Sequence, residues 1–197
     1  MIIVVGLGNP GTEYEHSRHN VGWIILRAII AKNNFQKPLH SGTYSAEVSR
    51  GTFAGTETAF LFPATYMNKS GISVKKFCDA EEHEQTLVVV HDDIDLPFGT
   101  VKISYDRGAG GHNGVRSIIQ ACDTTTFTRI RLGIAHVNIL GITHRPTGEK
   151  LSTYVLGDFK PAELRKLTDI VEKVERALTL LIEKDVTEAM QVVNATK

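Results

Sequence analysis

Two cysteines in 197 residues, no excess charge of either sign and no long apolar run set the first limits on this chain. Cys78 and Cys122 stand far apart without metal-like spacing, so they provide neither a disulfide framework nor a zinc finger. Both read as ordinary, partly buried thiols, in a number that suits a reducing compartment. No stretch approaches the roughly 18 apolar residues of a membrane span, and Ile2 to Val5 reaches glycine without a basic lead or a cleavage-like site. These absences point to a cytoplasmic protein. The 22 basic residues balance the 22 acidic ones, so bulk charge does not signal a nucleic-acid partner and the local distribution must decide. With no internal repeat, low-complexity segment or Pro/Ser-rich linker, residues 1–197 read as one domain with room for a substantial core.

What is present alternates. Ile2 to Val5 reads as a buried strand, and Val21 to about Asn33 as a helix with Ile24, Ala28 and Ala31 on one face. Two β-rich runs around Gly51 to Gly55 predict a hairpin, which makes the sheet mixed. A short helix follows over about Ser70 to Phe77, then Leu87 to Val90, a continuous apolar run of the kind a central strand shows when both its faces are covered. Lys102 to Tyr105 extends an edge, Val115 to Ala121 reads as a helix opened by a glycine loop, and "FTRIRLGIAHV" as a further strand. From Pro161, the spacing of Leu164, Leu167, Ile170, Val171, Val174, Ala177, Leu178 and Leu181 predicts one long covering helix, and a smaller helix spans about Val186 to Val193. The fold class is α/β: a single α/β/α layered domain with a mixed, mostly parallel central sheet and a C-terminal covering helix.

Gly6-Leu7-Gly8-Asn9-Pro10-Gly11 fits the G-x-G-x-x-G pattern of dinucleotide-binding proteins. That fingerprint needs its glycines to open the helix directly, with an acidic residue about 20 positions on. Here helical periodicity resumes only near Val21, and the acidic position falls beside Arg27 and Lys32. A cofactor cradle is therefore a poor fit. The glycines instead turn the chain off the strand and hold Asn9 where a substrate can sit.

Ligand sites in open α/β sheets gather beyond the carboxyl ends of strands. That rule collects Asn9 and His19 after the first strand, His91, Asp92, Asp93 and Asp95 after the central one, and His112 with Asn113 in the glycine loop. A histidine takes a proton from water near neutral pH while a carboxylate on its other ring nitrogen fixes the tautomer, and His19 with Asp92 would make such a pair. Asparagine amides donate to an oxyanion without adding a titration, and Asn9, Asn68 and Asn113 are the candidates. His16, His19, His91 and Asp92 form a weaker alternative as metal ligands, without a strong ligand motif. Charge adds a hint of a partner. Residues 79–95 carry seven acidic and no basic residues, whereas residues 97–150 carry seven basic against three acidic, net positive by four. Lys102, Arg107, Arg116, Arg129 and Arg131 are candidates for a phosphate-facing patch.

Taken in order, "GLGNPGTEYEHSRHNVG", "PATYMNKSG", "HDDIDLPFG" and "GAGGHNG", followed by "RIRLGIAH" and "YVLGDF", closely resemble bacterial-type peptidyl-tRNA hydrolase. The resemblance implies a monomeric enzyme that, without a cofactor, cleaves the ester between a peptide and the tRNA 3′ end, with the acceptor stem, 3′ end and peptide as its contacts. It implies His19 as general base, Asp92 as its orienting carboxylate and Asn9 as the group distinguishing an N-blocked peptidyl chain from a free aminoacyl group. Tyr14, Tyr66, Met67, Asn68 and Asn113 fall at substrate-contacting positions, and Lys102, Arg107 and Arg131 become candidate contacts to tRNA phosphate. Ser104 stands where a basic residue is common and Arg107 where glycine is common, so Arg107 is expected to compensate from the neighbouring loop. Ala135 and Val137 replace a frequent glycine and proline. The rival readings are an inactive RNA-binding relative on the same fold and a zinc-dependent hydrolase.

Overall fold

Ile2–Gly6 (β1) is buried along its whole length because parallel neighbours flank it on both sides. A computed structural model of the chain describes residues 1–82, 84–137 and 143–195. After β1 come helix α1 (Val21–Lys32), strands β2 (Leu39–Ser41), β3 (Ala46–Phe53) and β4 (Thr56–Pro63), and helix α2 (Ser70–Ala80). Then follow β5 (Thr86–Pro97), β6 (Val101–Tyr105), α3 (Asn113–Cys122), β7 (Thr128–Val137) and β8 (Thr143–His144). The chain closes with α4 (Glu149–Leu156), α5 (Pro161–Leu164), α6 (Leu167–Glu183) and α7 (Val186–Ala195).

The sheet runs β2-β3-β4-β1-β5-β7-β6, with β8 added to β7. Its centre, β4-β1-β5-β7, is parallel, and the β3–β4 hairpin, β2, β6 and β8 pair antiparallel at the margins. Period-2 alternation divides the core between the two faces. Ile2 and Val4 join Phe60, Phe62, Val88 and Val90 under α1, α6 and α7, whereas Ile3 and Val5 join Ala59, Leu61 and Val89 under α2 and α3. This is the layered α/β/α domain with a mixed, mostly parallel sheet that the sequence predicts.

Three local differences have physical causes. β5 continues past its apolar run through His91, Asp92 and Asp93 to Pro97, because pairing with β7 persists across an irregularity between Asp93 and Pro97. The long covering helix is divided: α5 ends at Leu164 and α6 begins at Leu167. Leu164, counted in the apolar stripe, is exposed, while the stripe from Leu167 to Leu178 is buried and Leu181 half-buried. Glu163 ties α5 down elsewhere, to the Lys160 backbone and to Arg18. Finally, α4 has no buried residue and so left no strong apolar period to read.

Candidate active site

Gly22 sets the geometry. A Cβ there would lie 2.5 Å from the Val90 carbonyl oxygen and 2.8 Å from that of Leu7, so only glycine allows the first turn of α1 to press onto the end of β1 and the middle of β5. This brings the short turn Arg18–Asn20 over Asp92. His19 Nδ1 lies 2.8 Å from Asp92 Oδ1, and His112 Nε2 lies 2.8 Å from the same oxygen. His112 also caps α3, its Nδ1 accepting from the backbone N–H of Gly114 at 3.1 Å and of Val115 at 3.3 Å. An acceptor at Nδ1 places the proton on Nε2, so His112 donates to Asp92.

The electrostatics follow. Burial alone would raise the Asp92 carboxyl, but the two imidazoles and their hydrogen bonds hold it well below the usual carboxylate range. Burial also works to lower His19, but attraction to Asp92 and the hydrogen bond outweigh it, and its pKa is raised. With Asp92 ionised, His19 Nδ1 is the donor and Nε2 is left bare to accept a proton. His91 lies beneath with its Nδ1 donating to the Asp92 carbonyl at 2.7 Å, and burial, reinforced by His112, pushes its pKa well down. It therefore stays neutral beside the pair.

The amides are also oriented. Asn9 Oδ1 accepts from the Met67 backbone N–H at 2.8 Å, which fixes the amide and leaves Nδ2 as the free donor. The Asn9 backbone is clamped by Asn20, whose Oδ1 accepts from Asn9 N and whose Nδ2 donates to Asn9 O, each at 2.9 Å. Asn113 Oδ1 accepts from Arg116 Nη1 at 3.0 Å, which again leaves the amide nitrogen as the free donor. All of this opens on one cleft of about 680 Å³. Asn9, His19, Tyr66, Met67, Asn68, Asp92, His112 and Asn113 line one region of its wall, and Arg107, Arg129, Arg131 and Arg145 bring positive charge to it. Arg131 Nε donates to Asp93 Oδ2 at 2.7 Å, Arg145 pairs with Asp95 at 2.7 Å, and Arg129 Nη1 donates to the Gly108 carbonyl at 2.8 Å.

A family model described as Peptidyl-tRNA hydrolase matches residues 3–197. The chain belongs to the peptidyl-tRNA hydrolase family. It is 38% identical over 196 residues to the peptidyl-tRNA hydrolase of Syntrophotalea carbinolica, covering 98% of this chain and 97% of that one. Identity to the peptidyl-tRNA hydrolase of Bacillus subtilis is 34%, over 99% of both chains. Among solved structures, peptidyl-tRNA hydrolase from Acinetobacter baumannii is similar with a TM-score of 0.84 and 30% identity, over 100% of this chain and 96% of that one.

Set beside this family identity, most of the residues singled out in the sequence meet in the cleft: Asn9, His19, Tyr66, Met67, Asn68, Asp92, Asn113, Arg107 and Arg131. Two do not. Tyr14, half-buried in the short turn Thr12–Tyr14, is not part of the lining. Lys102 is also outside it, its Nζ donating to the Asn194 carbonyl on α7 at 2.6 Å. The metal set does not assemble as composed: His16 is exposed and outside the lining, and His91 Nδ1 is spent on a carbonyl. Among the described residues, His19, Asp92 and His112 instead place ligand atoms within 4.8 Å of one another. Those atoms already hydrogen-bond to each other, and the far nitrogen of His112 caps a helix. The glycines do not open α1 either, because the turns Thr12–Tyr14 and Arg18–Asn20 intervene. Arg18 and Asn20 were missed as site residues, although both adjoin His19 in "SRHN". No helix among the described residues is long and apolar enough to cross a membrane.

Proposed function

We propose that this protein hydrolyses the ester joining an N-blocked peptide to the 3′ end of tRNA, recycling tRNA released prematurely from translation, as a cytoplasmic monomer. The observation that carries the reading is the His19 imidazole, held by Asp92 on one nitrogen and bare on the other, at the wall of a cleft that Asn9, Asn68 and Asn113 also line. Water attacks the ester carbonyl carbon while His19 Nε2 takes its proton. The resulting oxyanion accepts hydrogen bonds from asparagine amides, with Asn9 and Asn113 as the oriented donors. Collapse breaks the bond to the 3′ ribose oxygen, which takes the proton back from His19. Asp92 stabilises the imidazolium in between and keeps its own charge.

Substrate recognition divides along the cleft. Asn68 bonds the peptide main chain, Tyr66 and Met67 line the groove, and Asn9 sorts N-blocked from free aminoacyl groups. Main-chain bonding accepts any peptide sequence. Arg107 and Arg131 contact tRNA phosphate, and Arg107 supplies the charge that Ser104 does not. Arg107→Ala is expected to weaken tRNA binding and reduce the slope of log affinity against log salt by about one. Affinity titrations over a salt series check this, and an unchanged slope removes Arg107 from the contact. The direct test of the reaction is release of N-acetyl-aminoacyl groups from tRNA with a chelator present. Cleavage of the blocked substrate and sparing of unblocked aminoacyl-tRNA is expected. Binding without cleavage would make the protein an RNA-binding module, and loss of activity to the chelator would make it a metal-dependent hydrolase.

A further inference from the structure

We propose that Arg18 is a positioning residue for His19, fastening the turn that carries the imidazole to the corner between α4 and α5. The inference rests on the reading of His19 as the base. The Arg18–Asn20 turn has no side-chain cap of its own. The residues flanking His19 reach in different directions: Asn20 to the Asn9 loop, and Arg18 to chain far downstream. Arg18 Nη1 donates to the Gly157 carbonyl at 3.1 Å and Nη2 to Glu163 Oε2 at 2.9 Å. The guanidinium carbon lies 4.7 Å from the centre of the Tyr154 ring and 5.6 Å from that of Phe159. Main-chain bonds run alongside, from Arg18 N to Gly157 O at 3.0 Å and from Phe159 N to His16 O at 3.1 Å, with a bridge between Ser17 and Asp158. This corner directly follows α4, whose Leu151, Val155 and Leu156 line the cleft. The base and one wall of the cleft are thus held as a unit.

A buried ion pair is a weak source of net stability compared with an apolar pair of the same volume. Arg18 is 6% exposed, and the main-chain bonds already hold the two segments together. What the side chain adds is direction, because its planar fork meets a carbonyl and a carboxylate while its face rests on an aromatic ring. Glu163 is fixed from its own side, Oε2 also accepting from Lys160 N at 2.7 Å. Lysine, a compact charge on a flexible stem, cannot reproduce both bonds and the stack. The titratable groups facing His19 are Asp92 from β5 and His112 from the glycine loop; those facing Arg18 are Tyr154 and Glu163.

The test is Arg18→Lys in the full chain, with steady-state kinetics on N-acetyl-aminoacyl-tRNA and an NMR titration of His19 in imidazole-labelled protein. kcat is expected to fall about 10- to 100-fold, as for a misplaced catalytic group. KM should change by less than about threefold, since the substrate contacts remain. The His19 titration should shift toward the ordinary histidine value as its bond to Asp92 loosens. Wild-type kcat with an unmoved titration would overturn the proposal, as would a loss confined to KM. If Arg18→Lys does not fold, Glu163→Gln is used, which retains an acceptor for the fork and removes its charge. It is expected to show the same pattern in smaller size, and unaltered kcat and titration in that variant would overturn the proposal. The titration needs no turnover, so an inactive wild type would count against the hydrolase reading alone.

Discussion

Asp92→Asn is expected to lower kcat by about 10²- to 10⁴-fold while leaving the chain folded, the scale set by loss of the orienting carboxylate in a histidine-based site. The asparagine side chain keeps the shape but no longer selects the tautomer with the proton on Nδ1 and a bare Nε2. It also removes the charge that stabilises the imidazolium. A second readout comes from pH. In the role proposed for it His19 is active only when neutral, so activity in the wild type is expected to rise with pH and level off above a pKa that Asp92 has raised. Without the carboxylate, the surviving effect on His19 is burial, which lowers its pKa, so the midpoint of the rise should move down. Steady-state rates across the neutral range check both. A variant with wild-type kcat and an unmoved midpoint would show that Asp92 does not orient the base.

Gly22→Ala should lower stability by about 3 kcal/mol, at the upper end for overpacking. The two nearest atoms to the added carbon are carbonyl oxygens of β5 and the β1 loop, 2.5 and 2.8 Å away, and neither can rotate aside. Relief requires α1 to lift, which carries the His19 turn with it. Activity per folded molecule should therefore fall as well. Gly42→Ala is the control, with open space around the added carbon and an expected change within about 0.5 kcal/mol. Denaturant melts of both variants decide it: equal midpoints would mean that the fit of α1 against β5 and the β1 loop is looser than these contacts imply.

The elements legible in the sequence were those with a strong local signal. Ile2–Val5 announces itself as a continuous apolar run, the β3–β4 hairpin as two β-rich runs around Gly51 to Gly55, and the stripe from Leu167 onward through helical spacing, because each supplies buried residues to the core. α4 and the break at Arg165 did not, since α4 buries no residue and the contact of Glu163 beside the break is with Arg18, far away in sequence. Within the site, His19 and Asp92 were readable as chemistry, and only the fold brings them to 2.8 Å. His112 was visible as a residue of the glycine loop, but its double use, capping α3 and donating to Asp92, is a matter of geometry. Lys102 went the other way: a basic residue at a plausible place in sequence is engaged by the C-terminal helix.

The most direct test of the central claim is a single-turnover comparison of wild type and His19→Ala on N-acetyl-aminoacyl-tRNA in ¹⁸O-labelled water with a chelator present. The account expects rapid release by the wild type with label in the acyl product's carboxyl group, and a rate for His19→Ala lower by several orders of magnitude despite retained tRNA binding. Equal rates for the two proteins would contradict His19 as the base, and no release by the wild type would contradict the hydrolase itself.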